Sequence, residues 1–569
     1  MASPNFTGVT ADYQLYIRMY ATGADGVTVG TRQRFVVASS SRTLAGGDRP
    51  GVYYGRVVEV ATIRNDVGDD PFPKVIIPDF RFSVGRSDAN RTEVDALVTW
   101  CVTYADPKYE RKVYVYLCNG TIDHSDDLVF YGNLRSDGVT LRGDSIEFRA
   151  KGKLDTYNID VPTDTFEEYV DGWATGYPGQ DIPDSIKSDS PRILYGDWTD
   201  APSKWHVRAP VIRLPNGTNN VLAVLCKPNQ YGIHDFGSRC SWYDSSGESL
   251  STKRTLVSRS LTKGTFELDD AEDVDEDGDD TVLAPRYPQG NEDSDGDLIE
   301  NPAWIIYDLL TEYAGVPAAT EIDGDSFTAT AALVSDLRFR RYVTDYEKIY
   351  DLIAEVCRDA GLVLYEKSGA FHLEQNKVYS WLGDETTTLS LNGMRVQESQ
   401  AVTLRPEKWD YTRIRLSFKH NPNTDKFEKT LTEGDDDGKT LHIESKWIWS
   451  DYDAINALAV IYDVVCGSLP TVIEATIPLR LDPSIGWLVA WDGDGFANEL
   501  FVLNRCNRNF QEATTQIQGI NVGTPWYYGA WTEDADPDFD AATDDEKGEQ
   551  GFWTEDTEDE VWDYTRWKG

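Results

Sequence analysis

The chain has 569 residues, 40% apolar and 12% aromatic, enough for several packed cores, so three or four domains are expected rather than one. Ninety-seven acidic residues against 54 basic ones give a formal charge of −43, a surface that repels phosphates and excludes sequence-independent nucleic-acid binding. No run of eighteen apolar residues occurs and the N-terminus lacks a basic start followed by an apolar stretch, so neither a membrane span nor a secretory signal is expected.

Residues 1–160 read almost entirely as strands: YQLYIRMY, RQRFVVAS, YYGRVVEVATI, KVIIPDFRFSV, RKVYVYLCNG and the long run from Leu128, separated by Gly, Asn and Asp clusters. So many strands call for a closed or nearly closed β-barrel, which removes their edges. Residues 161–265 carry fewer, shorter strand runs and read as a small β-rich domain. The segment 266–300 is an acidic linker, with fifteen acidic residues and one basic, Arg286, from Glu267 on. Within it Asp273, Asp275 and Asp277, followed by Gly278, set oxygen ligands at alternate positions as a calcium loop does, and Asn291, Asp293 and Asp295 repeat the pattern. The bidentate Glu such loops need is absent, since Ala284 and Pro302 stand at the twelfth positions; a plain solvated linker remains the other reading.

Residues 301–379 form a helix–helix–β-hairpin unit. Asn301 is placed to cap a helix begun by Pro302, with Ile306, Leu309, Leu310 and Tyr313 on one face and Gly315 and Pro317 at its end. Thr344 and Glu347 have capping-box spacing before a second helix, whose apolar face is Ile349, Leu352, Ile353 and Val356 and whose stop is Gly361. A hairpin follows, turning at Lys367-Ser368-Gly369. Residues 380–523 return to strands around a third helix at 451–466, with Ser450 as its cap and Ile455, Leu458, Ile461, Tyr462 and Val465 as its packing face. The segment 524–569 is an acidic tail in which GAWTED at Gly529 recurs as GFWTED at Gly551. Trp531, Trp553, Trp562 and Trp567 make it a candidate interface peptide, against the alternative of a solvated tail folded back on its own domain.

Catalytic and metal chemistry leave little trace. The histidines, at 124, 206, 234, 372, 420 and 442, show no metal-ligand spacing, and His372 reads as a packed or surface strand residue rather than a base. The seven cysteines are scattered, with no Cys-x-x-Cys, so free thiols are expected; a Cys226–Cys240 pair stays open. Carboxylate pairs are abundant but unmarked by spacing, so no enzyme activity is expected, and calcium is the sole cofactor candidate. The acidic surface, with 21 Lys to 33 Arg, suits a saline host, although many ordinary acidic proteins share it.

NPAWIIYDLLTEYAGVP, then YEKIYDLIAEVCRDAGLVLYEKSGAFHLE, WDYTRIRLSFKHNP and FVLNRCNRNFQEATTQIQGINVG, together resemble the core of baseplate hub and tail-tip proteins of tailed bacteriophages. The resemblance spans roughly residues 100–523 and leaves out 161–265 and the tail. It implies a structural virion protein of the distal tail end, assembled in the host cytoplasm: a homotrimeric ring closing the tail tube. The implied partners are tail tube and distal tail proteins, the tape-measure protein and a fibre or spike, with DNA passing through unbound. The implied fold class is α+β, mainly β: two related β-barrel hub domains with a small β domain and a helix–helix–hairpin unit inserted between them, and an acidic C-terminal tail. The alternative is a carbohydrate-binding or glycan-cleaving tail protein, which the 17 tryptophans would suit. An internal echo supports two related barrels: from Leu128 and from Glu499 two segments align without gaps, matching Phe130 with Phe501, Asn133 with Asn504 and Gly152 with Gly523.

Overall fold

A computed structural model describes residues 14–23, 26–37, 42–44, 47–49, 51–53, 57–66, 75–85, 91–106, 108–119, 121–124, 127–143, 145–162, 193–198, 200–201, 207–208, 211–214, 221–224, 256–260, 265–268, 286–287, 298–343, 346–367, 369–375, 389–390, 401–404, 411–422, 424–434, 438–462, 465–466, 471–478, 488–493, 496–509, 514–521, 529–530 and 550–551. The fold is α+β and mainly β.

The first arm supplies β1 (Gln14–Thr22), β2 (Thr28–Val36), β3 (Val57–Asp66), β4 (Asp79–Gly85), β5 (Glu110–Cys118), β6 (Leu128–Leu141) and β7 (Ser145–Gly152). The second supplies β8 (Ala401–Leu404), β9 (Thr471–Pro478), β10 (Leu488–Gly493), β11 (Phe496–Asn509) and β12 (Thr514–Asn521). With Leu389–Ser390 they make one 13-stranded sheet in the order β2-β1-β5-β6-β7-β4-β3-β11-β12-β9-β8. β10 pairs with β11 off this path, and Leu389–Ser390 with β10.

Both arms repeat one topology. In β3–β7 and again in β8–β12, the third, fourth, fifth, second and first strands lie side by side, and every pairing is antiparallel. In each copy the fourth strand has 14 residues and the fifth has 8. The ungapped sequence alignment is three residues out of phase with this repeat. Leu141 pairs with Ile146 beside one turn and Asn509 with Thr514 beside the other, so Phe130 matches Asn498 rather than Phe501.

The two copies are fused edge to edge rather than closed separately, because β11 outruns β10. Residues 496–502 of β11 pair with β10, and the edge left at Arg505–Asn509 takes β3, from Arg505↔Asp66 to Asn509↔Thr62. Successive N–H groups of a strand point to opposite edges, so of Asn507→Pro and Arg508→Pro one removes a donor to β3 and the other a donor to β12. The seam-facing proline is expected to split thermal unfolding, followed by calorimetry, into two transitions. A single transition in both variants would show that the arms do not depend on this ladder.

The first arm is not strand alone. Arg91–Thr103 is a helix, α1, where only strands were expected. Val94, Leu97, Trp100 and Cys101 recur at helical spacing and are buried against Phe35, Phe82 and Val84 of the sheet. The second copy has its own core of Ile473, Ile477, Val489, Trp491, Phe501 and Ile517.

Between the copies sits a larger core. α2 (Pro302–Asp308) starts as its sequence dictates: Asn301 Oδ1 accepts from Ala303 N at 2.9 Å and Pro302 takes the first position. It continues through a π turn, Leu309–Tyr313, and Ile306, Leu309, Leu310 and Tyr313 are all buried. Two further helices, Ala318–Glu321 and α3 (Gly324–Leu333), occupy the stretch left unassigned by periodicity. α4 (Ile349–Ala360) buries the expected face and stops at Gly361, whose φ of 65° is the left-handed conformation of a helix end. Of the expected capping box, Thr344 lies outside the described residues; Glu347 lies in a two-residue strand, Lys348 holds the cap position without a side-chain cap bond, and the Glu347 carboxylate turns to Arg341 at 2.6 Å.

The hairpin Leu362–Lys367/Ala370–Gln375 turns at Gly369 as expected. Its first strand is buried on both sides, Leu362 and Leu364 facing this central core and Val363 and Tyr365 the core of the second copy. α5 (Asp451–Tyr462) is capped by Ser450 Oγ, which accepts from Asp453 N at 3.0 Å. With the three-stranded sheet Arg413–Asn421, Lys426–Gly434 and Thr440–Glu444, α5 packs into the central core rather than into the second barrel. Its buried stripe is Ala454, Leu458 and Ile461, with Val465 buried beyond its end; Ile455, placed on that face by periodicity, is 56% exposed.

The small β domain is an insertion into this core. Ile193–Tyr195 pairs with Arg341–Val343, and Asp197 N donates to Glu300 Oε1 at 3.0 Å, so the chain leaves and returns side by side. A short pairing of Val207–Arg208 with Arg286–Tyr287 lies between this point and a four-stranded sheet built from Val211–Leu214, Val221–Val224, Leu256–Ser260 and Thr265–Leu268.

Candidate functional site

Two polar clusters stand out, one where the first arm meets the central core and one on the outer part of the first arm's sheet. At the first, Gly152 ends β7 where an added Cβ would collide with the Glu366 carboxylate and Pro78, so only glycine permits the approach. Glu366 Oε2 accepts from Lys153 N at 2.7 Å. Lys153 Nζ donates to the Gly369 carbonyl at 2.9 Å, pairs with Glu321 Oε1 at 2.9 Å and lies 4.1 Å from the centroid of the Tyr131 ring. Tyr157 OH donates to Glu321 Oε2 at 2.8 Å. Burial is the largest influence on both charges, lowering the Lys153 ammonium and raising the Glu366 carboxyl to about 8 against the attraction between them. The cluster binds β7, the helix Ala318–Glu321 and the hairpin into one rigid joint.

The second cluster follows from strand alternation. Leu15, Ile17, Met19 and Ala21 of β1 face α1, so Tyr16, Arg18 and Tyr20 point to the opposite face. Register then sets Arg34 beside Arg18, and Tyr114 beside Arg18 on the other side. Tyr114 stacks on Tyr131 with centroids 4.2 Å apart, and Tyr16 meets Tyr53 edge-on at 5.1 Å. Arg18 is 7% exposed, Arg34 and Arg49 are half-buried and Arg32 is exposed. Arg18 and Arg32 both lie over the Tyr20 ring, at 5.7 and 5.9 Å. Burial lowers the Arg18 guanidinium and Arg32 pushes it the same way. Nε of Arg18 and of Arg34 has no hydrogen-bond partner. Asp48, beside Arg49 in sequence, turns its carboxylate instead to His124 N at 2.9 Å. At the edge of this face a cavity of about 630 Å³ opens between β2 and α1, lined among others by Arg32, Arg34, Leu97 and Trp100.

Neither cluster was visible as a motif. Lys153, Glu321 and Glu366 lie far apart in sequence, and the arginines look unremarkable until alternation puts them on one face. The calcium candidates Asp273, Asp275, Asp277, Asn291, Asp293 and Asp295 and the interface candidates Trp531, Trp553, Trp562 and Trp567 lie outside the described residues, as do Cys226 and Cys240. Among the described residues no group of three His, Cys, Asp or Glu side chains could hold a metal ion, and no helix is long and apolar enough to cross a membrane. His372 packs on Tyr365 and reaches Asp323 through Nδ1 at 2.8 Å, a strand residue in a polar contact.

No protein-family profile matches the chain, and no curated protein sequence does. Among solved structures it is similar to the 43 kDa tail protein of prophage MuSo2 from Shewanella oneidensis, at 9% identity and a TM-score of 0.37, over 89% of this chain and 98% of that one. It is similar to a tail protein from Neisseria meningitidis MC58, at 9% identity and a TM-score of 0.35, over 89% and 96%. A chain of the virion of a native gene transfer agent particle aligns at 14% identity with a TM-score of 0.38, over 60% and 86%.

Proposed function

We propose that the chain is a structural subunit of a phage tail, a baseplate hub or tail-tip protein. Three copies would form a ring at the distal end of the tail tube, meeting the tape-measure protein inside and distal tail and fibre or spike proteins outside. The observation that carries this reading is the repeated five-strand unit fused into one sheet. A chain with two like units, arranged three-fold, presents six like faces around an axis and so can meet a six-fold tube without a symmetry mismatch. The strongly acidic surface lets DNA slide past without adhering. Electron cryomicroscopy of the purified chain tests this: three-fold rings with six similar sheet units around a channel are expected. A monomer at all concentrations, or a two-fold assembly, would overturn it.

A further inference from the structure

Among the described residues no ion pair or hydrogen bond joins Arg18, Arg32 or Arg34 to a carboxylate, although the chain carries 97 of them. A guanidinium that is 93% buried beside two or three others is costly unless an anion joins it. The unpartnered Nε atoms of Arg18 and Arg34, set side by side by the strand register, offer two donors on this face of the first arm.

We propose that this face is the docking site of the chain's own acidic, tryptophan-bearing tail, residues 527–569, whose carboxylates neutralise the arginines. Charge complementarity selects this occupant: the segment carries fifteen acidic residues against three basic ones, the opposite of the face. Its aromatic residues suit the cavity beside Leu97 and Trp100, which is large enough for an indole and has the arginines at its rim. Gly529–Ala530 and Gln550–Gly551, which begin the two copies of the repeat, pair in parallel.

The geometry permits docking within one chain. β2 is eight strand positions from β12, roughly 38 Å along the sheet at about 4.8 Å per strand. The 32 residues from Val522 to Trp553 reach roughly 100 Å when extended. A tail docked in this way would tie the last residues of the second copy back to the far edge of the first. The proposal does not depend on the ring reading above, since it concerns a contact that a single chain can make.

Zero-length carbodiimide coupling on the full-length chain tests it. Lys112, across from Tyr20, and a lysine introduced by Arg32→Lys at an exposed position supply amines on the face. The expected result is coupling of both to carboxylates between Glu533 and Asp563, found by peptide mass spectrometry. This coupling should fall several-fold in 1 M salt, where the Debye length is about 3 Å. Arg34→Glu should abolish it and expose the tail to protease. Arg49→Glu is the second variant should Arg34→Glu prove unfolded by circular dichroism. Absence of tail coupling in the folded wild-type chain, coupling indifferent to both charge reversals, or retention of a DNA oligonucleotide by the arginines while the tail stays protease-sensitive would each overturn the assignment.

Discussion

Replacing Arg341 by alanine is expected to cost about 3 kcal/mol of stability or more, the largest loss from any single polar substitution in the central core. Arg341 is 1% exposed, lies over the Trp447 ring at 5.0 Å, and ion-pairs with Glu347 at 2.6 Å and with Glu355 of α4. It also sits in the short strand Arg341–Val343 that holds Ile193–Tyr195. Removing the guanidinium leaves two carboxylates facing each other and a hole beside a buried indole. Both carboxylates keep some exposure, 26% and 30%, and can recover part of their hydration, which places the loss at the lower end of the about 3–5 kcal/mol span for a broken buried pair. Arg341→Lys should recover little, because an ammonium cannot fork to two acceptors and cover a ring together. Denaturant unfolding measures both, and a loss below about 1 kcal/mol for Arg341→Ala would mean the three groups contribute no more than an exposed pair.

Glu366→Gln is expected to stabilise the protein above neutral pH and to flatten its pH dependence. The folded chain holds the Glu366 proton up to about 8, whereas a free glutamate gives it up near 4.5. Between those values the folded state binds more protons than the unfolded one, so stability must fall as pH rises through that window. Glutamine cannot ionise, yet its amide oxygen can still accept from Lys153 N. One pKa unit is worth about 1.4 kcal/mol, so the variant should gain on the order of a few kcal/mol at pH 9 and nothing at pH 4. Lys153, whose ammonium burial lowers, acts with the opposite sign only on its own alkaline limb, below its ordinary value of 10.5. Thermal melts from pH 4 to 9 decide the matter. Parallel curves for the two proteins would show that Glu366 stays ionised in the fold, held by Lys153.

Local signals in the sequence were legible where they act alone. Asn301-Pro302, Gly361, Ser450 and the Lys367–Gly369 turn each need only their neighbours in the chain, and each does what its chemistry requires. α1 was hidden because Arg91–Thr103 is rich in valine and threonine, residues that favour strands, and only packing of Val94, Leu97 and Trp100 on the sheet overrides that preference. Thr344 and Glu347 have the spacing of a capping box, but the pull of Arg341 on Glu347 is tertiary and leaves no mark in sequence order. The phase of α5 slipped at Ile455 because apolar residues run almost all round that helix, and only the neighbours on Arg413–Asn421 select the buried stripe. The duplication was readable as an echo between Leu128 and Glu499, while its register, three residues away, is set by the matching turns between Leu141 and Ile146 and between Asn509 and Thr514. The two polar clusters needed the sheet order itself.

The insertion at Asp197 and Glu300 has a consequence for how such a chain can change over generations. Because its two stems leave the central core side by side, the loop that replaces it need span only a few ångströms, and loop-closure entropy rises only slowly with the length inserted. The intervening residues can lengthen, shrink or be traded for an unrelated module without altering Tyr195, Asp308 or the helices beneath them, which are joined by the 2.6 Å hydrogen bond from Tyr195 to Asp308. That position is a socket, where a lineage can refit its outward-facing part while inheriting its frame intact.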